Sequence, residues 1–161
     1  MSFRLSRDGP RSIDMKSFDI TFSYNPSNVD WSQYFVIDKI GFGTEGEVYK
    51  LQHSTSGQFI AAKISLYIDK SKEFDILSKL NHVNVVKLLG CEHTLKRRIL
   101  YLEFVEGETL FDLLSNSKIK SFETVYPIYF QIFQILEYLH GQNIAHMDLK
   151  IDNIIIDKNN I

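Results

Sequence analysis

Towards its C-terminal end the chain reads His146-Met147-Asp148-Leu149-Lys150-Ile151-Asp152-Asn153. A carboxylate, an ammonium and a carboxamide follow one another at short fixed spacing. A carboxylate orients an attacking hydroxyl, an ammonium neutralises a transferred anion, and a carboxamide oxygen ligates a hard divalent cation. That set fits phosphoryl transfer, in which catalysis is mostly positioning and charge neutralisation. Asp148 is the expected base, Lys150 the expected counter-charge and Asn153 the expected Mg²⁺ ligand. His146 reads as a packed loop histidine without a proton-transfer role, and Asp152 and Asp157 as solvated loop residues.

Two further groups of residues suit the same chemistry. Gly41-Phe42-Gly43-Thr44-Glu45-Gly46-Glu47-Val48 has the form G-x-G-x-x-G-x-V. Glycines there let backbone N–H groups come close to phosphates. The element after Gly46 reads as a strand, and no βαβ unit follows, which separates the motif from a dinucleotide fingerprint. Lys63 ends the apolar run Ile60-Ala61-Ala62 and suits phosphate binding as a point charge. It needs an acid to orient it. Glu73 is preferred over Asp75, because Glu73 precedes Ile76 and Leu77 at helical spacing. The backbone of Glu103 and Val105, at the end of a later strand, suits reading an adenine edge.

The elements that must position these groups follow from periodicity. Strands are expected at Phe35-Val36-Ile37, Val48–Leu51, Phe59–Ile64, Val85–Leu89 and Ile99–Phe104. A helix is expected over about Asp69–Leu80, with Phe74, Leu77 and Leu80 on one side. Lys96-Arg97-Arg98 reads as a solvated hairpin turn. A short helical piece carries Leu110, Phe111, Leu113 and Leu114. Ser121 is the expected N-cap of a long helix to about His140, with Ile128, Ile132, Ile135, Leu136 and Leu139 on its apolar side. Pro127 either kinks that helix or marks its first turn. Residues 1–33 have no strong period and read as a flexible or loosely docked extension, with the aromatics Phe18, Phe22, Tyr24 and Trp31 suggesting that part of it rests on the domain surface. Strands first and helices afterwards give an α+β class, a sheet layer followed by a helical layer.

Composition narrows the function classes. The chain has 161 residues, 44% apolar and 13% aromatic, enough for one domain with a core. It carries 18 basic and 20 acidic residues, for a net charge of −2. That balance gives no reason to expect a nucleic acid or a membrane as partner. The single cysteine, Cys91, excludes an internal disulfide and suits a reducing, cytoplasmic location. No apolar run reaches membrane-spanning length, and the N-terminus lacks a signal-peptide stretch.

Taken in order, these motifs resemble the protein kinase family over residues 34–161. The resemblance rests on GFGTEGEV, IAAK, Glu73, the segment Leu80–Val86, EFVEG and YLHGQNIAHMDLKIDN. It implies a kinase-like fold: a small antiparallel sheet lobe with one helix (34–104), then an incomplete helical lobe (105–161). It implies ATP and Mg²⁺ as cofactors and a protein bearing Ser or Thr as substrate. The implied ATP contacts are Ile40, Gly41, Phe42, Gly43, Thr44, Glu45, Gly46, Val48, Ala61, Lys63, Glu73, Glu103 and Val105, with Leu102 at the gatekeeper position. D-L-K-x-x-N looks like the serine/threonine type, because Lys150 follows Leu149. Met147 departs from the family's H-R-D arginine, and Glu45 departs at the tip of the glycine loop. The family's D-F-G motif is not present before Ile161, so the chain is expected to be a C-terminally truncated and inactive kinase fragment. A non-catalytic nucleotide-binding or pseudokinase-like module is the alternative, and a small-molecule phosphotransferase ranks third.

Overall fold

Phe59–Ser65 alternates between two apolar faces, so both of its sides need cover. The chain builds that cover from these elements, in order: β1 (Phe22–Tyr24), β2 (Tyr34–Gly43), β3 (Gly46–His53), β4 (Phe59–Ser65), α1 (Glu73–Leu77), β5 (Leu88–His93), β6 (Arg98–Glu103), β7 (Gly107–Thr109), α2 (Leu110–Ser115), α3 (Phe122–Gly141) and β8 (Ile155–Asp157). The computed structural model describes residues 20, 22–43, 46–65, 72–119 and 121–158. They form two units. One holds the described residues up to Lys79 together with Lys87–Phe104, and the other holds Leu80–Val86 and the described residues from Val105.

The first unit is a six-stranded antiparallel sheet in the order β1-β5-β6-β4-β3-β2. One face buries Tyr49, Leu51, Ile60, Ala62, Ile64, Ile99 and Tyr101 under Trp31 and Tyr34. Trp31 is 7% exposed. Its indole stacks on the Tyr101 ring at 4.0 Å, with 5° between the planes. Gly90 permits this: a Cβ there would overlap the indole. The other face buries Leu88, Cys91 and Leu100 beneath Phe74 and Leu77 of α1, with Tyr24 of β1 alongside. Burial raises the Tyr101 hydroxyl pKa, and Glu92, which accepts its hydrogen bond at 2.9 Å, adds to the rise.

In the second unit, β7 and β8 pair antiparallel, Thr109 opposite Ile155. Thr109 caps α2 by accepting the Asp112 N–H at 3.0 Å. Ser121 caps α3 through the Thr124 N–H. Pro127 lies inside α3, past its first turn. The helix ends in a Schellman arrangement: Ile144 N–H donates to Leu139 C=O at 2.9 Å and Asn143 N–H to His140 C=O at 2.9 Å, with Asn143 left-handed at φ 57°. Ile128, Ile132, Ile135 and Leu136 are half-buried and Leu139 is buried. A second stripe, Phe122, Tyr126, Tyr129, Phe130 and Phe133, is exposed. Leu80–Val86 ties to α3 where Tyr138 Oη accepts the Asn81 N–H at 2.9 Å and Gln131 accepts from the Asn84 amide.

Three expectations change. Residues 22–33 are not a loose extension: Phe22–Tyr24 adds an edge strand to β5, and Trp31 is core. Residues 1–19 and 21 lie outside the described set. The strand expected at Val85–Leu89 lies at Leu88–His93. Val85 instead closes a turn on His82, N–H to C=O at 3.0 Å. The expected 69–80 helix is Glu73–Leu77 among the described residues, because Ser78 and Lys79 turn away and 66–71 lie outside them.

Trp31→Ala removes the stack and opens a cavity against Tyr101, so it should cost about 3–5 kcal/mol in urea unfolding. Trp31→Phe should cost much less, since Nε1 has no hydrogen-bond partner among the described residues.

Candidate functional site

The sheet register fixes the first half of the site. Gly41 faces Val48, Val48 faces Lys63 and Lys63 faces Leu100 across four strands. Directly opposed residues share a face, so Val48 and Lys63 project together, away from the Trp31 cluster. Ala61, two residues before Lys63, shares that face and lies opposite Leu102. Gly46 is needed where it stands: its φ is 130°, and a Cβ would overlap the Ile64 carbonyl oxygen. Phe42 is 80% exposed near the hairpin tip, and Ile40 is also exposed. Thr44 and Glu45 lie outside the described residues.

Lys63 Nζ donates to both Glu73 carboxylate oxygens, each at 2.9 Å. The side chains are 16% and 32% exposed, so the pair is less screened than a surface ion pair. Glu73 opens α1, while Asp75 faces solvent. The pair leaves Lys63 oriented at the edge of an apolar face, suited to an anionic ligand.

Glu103 ends β6. Its carboxylate accepts the Lys87 N–H at 2.8 Å, and its own N–H donates to the Lys87 carbonyl at 3.0 Å. The Lys50 ammonium lies over the rings of Phe104, the next residue, at 4.3 Å and of Phe59 at 4.0 Å. Sequence reading missed these contacts, because residues 50, 59 and 104 are too far apart in the chain to leave a local pattern. It also missed Glu47 on the opposite face. Lys39 donates to that carboxylate and holds its pKa below the usual value, with help from the Tyr49 hydroxyl.

Val105, Asp148, Lys150 and Asn153 belong to the second unit. Val105 is half-buried just before β7. Asp148 is exposed, and its carboxylate accepts from Lys150 Nζ at 3.0–3.2 Å and from Asn153 Nδ2 at 2.9 Å. The same Asn153 nitrogen donates to the Asp148 carbonyl at 3.0 Å. Lys150 first, and Asn153 next, hold the Asp148 carboxyl below its ordinary value of 3.8. With Nδ2 turned inward, Asn153 Oδ1 is the atom suited to a cation. A 3-10 turn, Ile151–Asn153, and the pairing of β8, which follows it, with β7 hold this loop. Met147 sits at φ 60°, a left-handed backbone unusual for a side chain of its size, and is 91% exposed. His146 donates nothing to Asp148 in this arrangement; its carbonyl accepts the Asp148 N–H at 2.8 Å.

Comparison with known proteins gives a consistent result. The family model described as protein kinase domain matches residues 34–161. The serine/threonine-protein kinase TIO of Arabidopsis thaliana is 34% identical over 131 residues, covering 76% of this chain and 10% of that protein. A probable serine/threonine-protein kinase of Dictyostelium discoideum is 35% identical over 147 residues, covering 86% of this chain and 30% of that protein. The crystal structure of Rad53 1–466 in complex with AMP-PNP matches with a TM-score of 0.71 at 30% identity, covering 80% of this chain and 36% of that one. The chain thus spans about a third or less of the length of these relatives.

The Asp148 geometry makes a titration prediction. Its carboxyl carbon, followed by NMR, should titrate below 3.8. Lys150→Met should move the midpoint up, because it removes the largest cause of the depression; an unchanged midpoint would show that Lys150 is not its partner in solution.

Proposed function

Because this chain belongs to the protein kinase family, we propose that it carries the nucleotide-binding sheet and catalytic loop of a serine/threonine protein kinase, transferring the ATP γ-phosphate to a protein hydroxyl. The Lys63–Glu73 pair carries this reading. It places an oriented ammonium on the same sheet face as Val48 and Ala61, below a glycine hairpin able to approach phosphates.

The roles divide by residue. Val48 and Ala61 offer apolar surface for the adenine, and the backbone of Glu103 and Val105 reads its edge. Lys63, held by Glu73, binds phosphate oxygens. Asp148, ionised throughout the physiological range, accepts the substrate hydroxyl and orients it. Lys150 balances the charge of the transferred group. The Asn153 carboxamide oxygen fits a hard cation, and bound Mg²⁺ would neutralise phosphate charge there. A reducing cytoplasm suits the single thiol.

A divalent ion at phosphates takes several oxygen ligands, and this chain offers Asn153 among its assigned residues. The isolated 161-residue protein is therefore expected to bind nucleotide and to transfer phosphate slowly or not at all. AMP-PNP should bind the wild-type chain, and Lys63→Met should weaken binding about tenfold or more by removing a charge-assisted contact. Any transfer to a serine-rich protein should vanish in Asp148→Asn. Nucleotide binding that ignores Mg²⁺, with no Asp148-dependent transfer, would favour the non-catalytic, pseudokinase-like module. Transfer to a small alcohol but not to protein would favour the small-molecule phosphotransferase.

A further inference from the structure

The helix that supplies Glu73 is poorly supported by its own sequence. α1 has five residues, its N-cap Lys72 makes no side-chain capping bond, and none of its residues is buried. A helix this short is unstable without tertiary packing. Phe74 and Leu77 pack on Leu88, Cys91 and Leu100 of the sheet, and aromatic contact from β1 adds a second support. The Phe22 ring meets Phe74 edge-on at 5.8 Å, and the Tyr24 ring meets Phe74 edge-on at 5.3 Å. Phe74 follows Glu73 directly in the chain. β1 itself is fixed by pairing with β5, Phe22 opposite His93 and Tyr24 opposite Cys91. Residues 22–24 lie before the stretch that the kinase-domain model matches, residues 34–161.

From this geometry we infer that Phe22 and Tyr24 are positioning residues for the nucleotide site: by clasping Phe74 they hold α1 where Glu73 meets Lys63. The inference rests on the proposed nucleotide-binding function. It adds that the competence of Lys63 depends on a strand outside the matched domain. Edge-to-face rings have a preferred geometry, so they fix the rotation of α1 about its axis as well as its distance from the sheet. Rotation is what Glu73 needs, since both of its oxygens engage one ammonium.

The test uses the full chain. Tyr24→Ala, and separately Phe22→Ser at a site already 41% exposed, should each weaken AMP-PNP binding about fivefold. Tyr24→Phe, which keeps the ring, should bind as wild type. In a Glu73→Gln background, Tyr24→Ala should change affinity by less than about twofold, because the residue it positions is already lost. A merely destabilising substitution would weaken binding equally in both backgrounds, and that result would overturn the inference. Hydrogen exchange without nucleotide gives a second reading. The Ile76 and Ser78 amides, bonded within α1 to Lys72 and Phe74 carbonyls, should exchange faster in Tyr24→Ala while β3 and β4 amides keep their protection. If wild-type protein does not bind AMP-PNP, the nucleotide-binding reading fails; the positioning of α1 then stands or falls on this exchange alone, and unchanged protection would refute it.

Discussion

A one-residue slip of β4 against its neighbours would carry the Lys63 ammonium into the apolar cluster under Trp31. Burying an unpaired charge there is prohibitive. The register that prevents the slip organises the rest of the sheet unit. Ile60, Ala62 and Ile64 point one way and Ala61 and Lys63 the other. The first three need cover, and Trp31 and Tyr34 give it. The functional face therefore depends on packing behind it, by residues that touch no ligand. The same alternation on β6 sends Ile99 and Tyr101 to the Trp31 side, and Leu100 to the side where α1 docks.

The second unit solves a different problem, which is how to hold an exposed loop in one shape. Asp148, Lys150 and Asn153 have little burial to fix them. Their order comes from short-range geometry. The Schellman turn at Asn143 stops α3 and redirects the chain. The left-handed backbone at Met147 turns it again, and the Asn153 carboxamide bridges the Asp148 side chain and carbonyl. The three-residue strands β7 and β8 then close the loop from behind. Hydrogen bonds and backbone conformation here do what hydrophobic packing does in the sheet.

Legibility in the sequence followed the range of the interaction. Lys63, Glu73 and the Asp148–Asn153 string announce themselves by local spacing, and the long helix by its period and its Ser121 cap. The β3 and β4 strands were equally plain, because alternation over six or more residues is a strong signal. What stayed hidden depends on distant partners. The aromatics Phe22 and Trp31 mark a stretch that rests on the domain, but their places, an edge-strand ring against His93 and Phe74 and a core indole against Gly90, Tyr34 and Tyr101, come from residues far along the chain. β5 lies a few residues beyond the strand that the sequence suggests, because Val85-Val86 is as strand-like as Leu88-Leu89 until Trp31 selects Gly90 as its neighbour. Strands of three residues, such as β7, are too short to carry any period. The cation–π contacts of Lys50 join residues 50, 59 and 104, which no window contains.

Cys91 gives the packing around β1 a further meaning. The chain's one thiol is 1% exposed and lies under Tyr24, and burial pushes its pKa up to about 11. At neutral pH only on the order of one molecule in ten thousand would carry the reactive thiolate while the sheet is closed. Alkylation of the native protein is thus limited by how often the cover over Cys91, made by Tyr24 of β1 and by Phe74 and Leu77 of α1, lifts away. The molecule contains its own clock for that opening, readable by mass without any introduced label.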